Sequence, residues 1–140
     1  MKGKIFLDTN ILIYAHDKDA GPKYQIASAL LKELWEGENG VLSVQVLQEL
    51  YVTVTRKIMK PIAPAQARGV IRNYLCWQVE RNDPDTILFA SELEERHQLS
   101  FWDSLIVAAA SNARVDKILT EDLNHGQVIE GIRIENPFLS

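Results

Sequence analysis

Short apolar runs recur between longer stretches of helical periodicity, and this alternation constrains the chain more than any other feature. Residues 4–7 form the first run and stop at Asp8-Thr9-Asn10, after which Ile11, Leu12, Tyr14 and Ala15 resume at helical spacing. That pattern is strand, turn, helix. Residues 23–36 carry Ile26, Leu30, Leu31 and Leu34 on one face, so a longer helix should end near Gly37 and Gly40. Val41-Leu42 makes a second strand, and Ser43 is a good N-cap for a helix running through Glu49 towards Lys57. Tyr51 to Thr55 has strand-like propensity that tertiary packing must override.

Residues 60–64 read as a linker, with Pro64 in the first turn of a helix reaching about Leu75. Residues 77–80 are a third strand. Asp83-Pro84 opens a helix to about Glu95, expected to turn Ile87, Leu88, Ala90 and Leu93 inward. Ser100-Phe101-Trp102-Asp103 fits a capping box ahead of an alanine-rich helix over residues 104–113. Residues 117–119 are a strand ending at Thr120-Glu121-Asp122, and a last strand lies near residues 132–134. Short strands alternating with helices predict right-handed βαβ units, hence a three-layer α/β/α fold with a central, mostly parallel sheet of about five short strands.

A chain of 140 residues is of ordinary size for one domain, so residues 1–140 are read as a single domain. Its 46% hydrophobic and 24% charged content argue against disorder. Asp8, Thr9 and Asn10 interrupt the N-terminal apolar run, which excludes a signal-peptide core or a membrane span there. Cys76 is the single cysteine, read as a packed small hydrophobe, and no Cys/His cluster has zinc-ligand spacing; the expected compartment is a reducing cytoplasm.

Four acids stand out by position. Asp8 follows the first strand, Glu49 lies in the helix after the second, Asp103 is in the first turn of its helix, and Asp122 closely follows a strand. In open α/β sheets ligands bind beyond the carboxyl ends of the strands, so all four land on one rim. Capping, turns or solvation account for each acid singly but not for that convergence. Like charges about 4 Å apart repel by roughly 4 kcal/mol at an effective dielectric near 20, so either some stay protonated or hard cations such as Mg²⁺ or Mn²⁺ bind. Divalent metal held by carboxylates suits phosphoryl hydrolysis, because it lowers the pKa of bound water and stabilises a leaving oxygen.

His16, His97 and His125 lie in separate segments, and no Ser/His/Asp or Cys/His nucleophile arrangement is legible. The net charge of −4 would disfavour contact with phosphates, yet setting aside the four acids leaves the remainder neutral. Arg56, Lys57, Lys60, Arg68 and Arg72 form a basic run that could touch nucleic acid or be a solvated face. Trp35, Trp77 and Trp102 could stack on bases, although core packing is the expectation for Trp35 and Trp102.

At these residues the chain resembles a known family. Ile5-Phe6-Leu7-Asp8-Thr9-Asn10 resembles the opening of PIN domains, Val46-Leu47-Gln48-Glu49-Leu50-Tyr51 their second motif, residues 101–110 the third and residues 118–123 the fourth. VapC toxins are the subgroup it is most similar to. The resemblance implies that Asp8, Glu49, Asp103 and Asp122 bind Mg²⁺ or Mn²⁺, with Thr9, Asn10, Ser104 and Thr120 as supporting hydroxyl or amide groups. Glu121 adjoins Asp122, and side-chain direction decides which of them faces the rim. It further implies endonucleolytic cleavage of RNA by metal-activated water, a homodimer, and a VapB-like antitoxin that blocks the site. Two rival readings are an inactive PIN-like module that binds RNA or protein, and an aspartate-nucleophile phosphatase. The phosphatase pattern wants a second Asp at the position of Asn10.

Overall fold

The computed structural model describes residues 3–139. The chain begins with β1 (Ile5–Leu7), α1 (Thr9–His16), a 3-10 turn (Lys18–Ala20), α2 (Pro22–Gly37), β2 (Gly40–Ser43), α3 (Val44–Arg56) and α4 (Pro64–Tyr74). It continues with β3 (Gln78–Glu80), α5 (Pro84–His97), α6 (Phe101–Asn112), β4 (Lys117–Leu119), β5 (Val128–Ile129) and β6 (Ile132–Glu135). The six strands form one sheet in the order β3-β2-β1-β4-β6-β5, parallel throughout except for the β5–β6 pair. Helices flank the sheet in the expected three-layer α/β/α arrangement.

Strand order follows from the connections. The chain leaves β1, crosses to β2 and then to β3 on one side, and returns through α5 and α6 to place β4 on the other side of β1. Right-handed crossovers in opposite directions put their helices on opposite faces. The order therefore reverses between β1 and β4, and the crevice that such a reversal opens at the strand ends is where ligands bind in open sheets. The Asp8 amide donates to the Leu119 carbonyl at 3.0 Å and fastens the two strand ends together.

Phe6, Leu7, Val41, Leu42, Ile118 and Leu119 are buried, as near-continuous apolar runs must be in a parallel sheet covered on both faces. Helix α3 keeps its β-branched run helical because Val46, Leu47, Leu50 and Val54 make a buried stripe at helical spacing. At Gly40 any Cβ would lie 2.3 to 2.8 Å from the Trp77 ring, so a side chain cannot fit there without moving the indole.

Four expectations need correction. Helix α5 buries Ala90 and Leu93 as expected, but Ile87 and Leu88 are exposed and Thr86 takes the inward place in the first turn, its amide and hydroxyl both donating to Asp83 Oδ1. Helix α6 starts at Phe101, not Ser104, because Ser100 is itself the N-cap and its Oγ accepts from the Asp103 amide at 3.0 Å. In α2, Ile26 is exposed and Ala27 takes the inward position. The sheet has a sixth strand, β5, joined to β6 by Glu130-Gly131 with φ of 51° and 78°. A two-residue turn with both φ positive is the hairpin type that matches the twist of paired strands.

Candidate functional site

Asp8 is the deepest acid of the rim. It is the N-cap of α1: its Oδ1 accepts from the Thr9 amide at 2.7 Å and its Oδ2 from the Thr120 hydroxyl at 2.8 Å. Only 5% of the residue is exposed, and burial pushes its carboxyl up to about 7. The Thr120 and Thr9 hydrogen bonds oppose that rise, and the charges of Asp122 and Glu49 add to it.

The other acids are reached through Asp8's own neighbours. Thr9 donates through its hydroxyl to Glu49 Oε1 at 2.8 Å, so α1 carries a bridge to α3. Thr120 accepts at Oγ1 from the Asp122 amide at 3.0 Å while donating to Asp8, and Asn10 Nδ2 donates to Asp122 Oδ2 at 2.9 Å. The chain of contacts thus runs Glu49, Thr9, Asp8, Thr120, Asp122, Asn10, back to α1. Asp103 stands outside it, on the first turn of α6. Burial raises its carboxyl above the ordinary range, the Ser100 hydroxyl lowers it, and Asp122 raises it again.

Among the described residues, none of these four carboxylates takes part in a salt bridge. Nor do three or more His, Cys, Asp or Glu side chains converge at metal-ligand spacing among the described residues, so the acids are linked through Thr9, Asn10 and Thr120 rather than gathered on a point. The donors are all oxygen, the set preferred by hard divalent cations. Asn10 adds a second mark, since its Oδ1 is buried without a hydrogen-bond partner. An unsatisfied acceptor beside carboxylates fits a cation or its bound water, and the residues are therefore chemically suited to such an ion.

A sequence model of the PIN domain matches residues 5–130. The chain belongs to the PIN domain family. Solved structures similar to this PIN domain include a toxin-antitoxin complex from Klebsiella pneumoniae, with a TM-score of 0.72 and 18% identity over 96% of this chain and 98% of that one. DNA-bound VapBC from Salmonella typhimurium gives 0.67 and 19% over 97% and 99%. VapC20 from Mycobacterium tuberculosis, a Sarcin-Ricin loop cleaving toxin, gives 0.63 and 22% over 82% and 87%. No curated protein matches the sequence significantly.

Within this PIN domain the supporting residues divide. Thr9, Asn10 and Thr120 each bond one of the acids, whereas the buried Ser104 donates its hydroxyl to the Ser100 carbonyl at 2.8 Å and serves its own helix. Glu121 turns away from the acids, towards Tyr14 and Lys23, and leaves Asp122 as the one that meets Asn10. Trp102 is 64% exposed, against the expectation of core packing. Leu105, Ile106 and Ala109 on the same helical stripe are buried, whereas the indole, in the first turn of α6, lies in solvent. Trp35 is exposed to 40% within an aromatic cluster with Tyr74 and Trp77, and Cys76 is exposed rather than packed. Arg56, Lys57, Lys60, Arg68 and Arg72 are all exposed, and none is in a salt bridge among the described residues. No helix among the described residues is long and apolar enough to cross a membrane.

Two contacts lay beyond sequence reasoning. Gln45, 7% exposed, donates from Nε2 to the Trp102 carbonyl at 3.3 Å and ties the start of α3 to the start of α6. Its spacing of four residues from Glu49 was the available signal, since that places both on one helix face. The ion pair of Lys23 with Glu121 joins residues 98 apart in the chain, and no local pattern announces it.

Proposed function

We propose that this PIN domain is a metal-dependent endoribonuclease, Asp8, Glu49, Asp103 and Asp122 holding Mg²⁺ or Mn²⁺, and that it is the toxin of a toxin–antitoxin pair. The observation that carries the reading is a buried carboxylate, Asp8, flanked by acids at a sheet switch point with no protein cation to neutralise it among the described residues. When bound, the metal supplies an acidified water and stabilises charge developing on the phosphate oxygens.

The chain's own residues prepare that event. Thr9 and Thr120 fix the two oxygens of Asp8 and so decide which lone pairs remain for a ligand. Asn10 orients Asp122, and Thr9 orients Glu49. Trp102 presents an exposed indole beside Asp103, suited to stacking on an unpaired base, which supports a single-stranded or looped RNA substrate. The toxin assignment, a VapB-like antitoxin across the site, and a homodimer draw support from family membership and from the VapBC and toxin-antitoxin structures with this fold.

The purified protein is expected to cleave RNA with Mg²⁺ or Mn²⁺, to stop in EDTA, and to lose activity on the order of a hundredfold or more in Asp8→Asn or Asp103→Asn. Induced expression in bacteria should arrest growth, and Asp8→Asn should relieve the arrest. Cleavage that survives EDTA or these substitutions would overturn the metal-nuclease reading, while active enzyme without growth arrest would overturn the toxin reading alone.

A further inference from the structure

Glu121 occupies a cage of its own beside the acid rim. Its Oε1 accepts from the Tyr14 hydroxyl and its Oε2 lies 2.7 Å from Lys23 Nζ. Lys23 Nζ also donates to the Tyr14 hydroxyl at 3.4 Å, and it lies 4.7 Å from the centre of the Tyr14 ring and 5.4 Å from that of Phe138. Phe138 in turn meets Tyr14 edge-on at 5.3 Å and 89°. The cage therefore gathers α1, the first turn of α2, the loop after β4 and the tail after β6.

What the cage does follows from the residue beside it. Glu121 reaches α1 at Tyr14, while Asp122 reaches the same helix at Asn10, one turn earlier. The loop after β4 thus grips α1 at two heights. Partly exposed ion pairs add little to stability, and the Lys23 and Glu121 side chains are 42% and 22% exposed, so the pair is a poor explanation for folding. Its geometry is better matched to orientation: Thr120 fastens the loop to Asp8 and holds the Asp122 amide, Asn10 holds the Asp122 carboxylate, and the Glu121 contacts add a further hold one turn along α1.

We propose that Tyr14, Lys23 and Glu121 form a latch that positions Asp122 for binding a divalent cation. They are positioning residues, and the proposal rests on the metal-site reading given above. Partners behind metal ligands typically alter affinity by about 10- to 100-fold, which sets the size of the effect.

The test is Mn²⁺ binding to the full chain, followed by electron paramagnetic resonance in the absence of RNA, with thermal melting measured in parallel. Glu121→Gln and Lys23→Met are expected to weaken Mn²⁺ binding about tenfold with little change in melting temperature. The double variant should be no weaker than the worse single one, because both substitutions open the same latch. Tyr14→Phe, which removes one hydroxyl only, should weaken binding in the same direction. If Asp122→Asn weakens Mn²⁺ binding while the latch variants bind as the parent does, the latch is overturned and the metal site stands. If Asp122→Asn also binds as the parent does, Asp122 is no ligand, and both readings of it fall together.

Discussion

Asp8 has two roles, capping α1 and forming the floor of the acid rim, and its protonation separates them. Its carboxyl is raised from 3.8 to about 7 by burial, so the folded protein holds a proton there that the unfolded chain releases. The stability this confers is full below about pH 4 and is lost as pH rises through about 7. At roughly 1.4 kcal/mol per unit, the loss amounts to a few kcal/mol. Asp83, Glu130 and Glu135, held below the usual range by Thr86, His97 and Lys117 respectively, act oppositely as pH falls. The clean measurement is the difference between parent and Asp8→Asn, since Asn is an equally good N-cap. In EDTA, Asp8→Asn should gain melting temperature over the parent between pH 5 and pH 8, and Mn²⁺ should erase that gain. An unchanged difference across that range would mean that Asp8 is ionised in the fold without a cation. The positions of Asp8, Glu49 and Asp103 at strand ends and helix starts were legible from spacing. The choice between Glu121 and Asp122 was not, because it depends on Lys23 and Tyr14, which approach only after the sheet has formed.

At the level of elements, what the sequence announced were the caps. Asp8, Ser43, Asp83 and Ser100 each accept an amide at the start of a helix; the starts after Ser43 and Asp83 were readable because the capping group lies beside what it caps, whereas α1 and α6 begin a turn or less earlier than hydrophobic spacing suggested, directly after Asp8 and Ser100. Helix phase was less legible. Ile87 and Leu88 looked inward by hydrophobicity, yet Asp83 and Asn112 both engage Thr86 and rotate that residue into the core. The β5–β6 hairpin went unread although Glu130-Gly131 between Ile129 and Ile132 carries the signal, because β5 is only two residues long. Gly131 has φ of 78° with open space around its Cβ position, so Gly131→Ala is opposed by backbone strain alone. Urea unfolding should show a loss of about 1 kcal/mol, with RNA cleavage unaffected. A neutral result would mean that the turn relaxes to another form.

Across the whole molecule, the reversal of strand order between β1 and β4 brings residues from both halves of the chain to one place, with Asp8 and Glu49 from the first half and Asp103 and Asp122 from the second. A net charge of −4 means that attraction to RNA cannot come from the overall field, so local contacts must carry substrate affinity. Trp102→Ala should weaken binding of a single-stranded oligonucleotide by about 1 to 3 kcal/mol, while Trp102→Phe retains most of it. Measuring this on an Asp8→Asn background avoids cleavage during the titration. Equal binding by Trp102→Ala would overturn the stacking role of the indole.

The three tryptophans are also unequal as light emitters. Trp35 and Trp77 meet edge-on with ring centres 5.1 Å apart and Tyr74 against both, whereas Trp102 pairs with Phe101 and is mostly in water. Trp102, at 64% exposure against 40% for Trp35, should give the most red-shifted emission and the component that iodide quenches most strongly, and Trp102→Phe should remove it. Native fluorescence therefore contains a built-in reporter one residue from Asp103, readable without a dye.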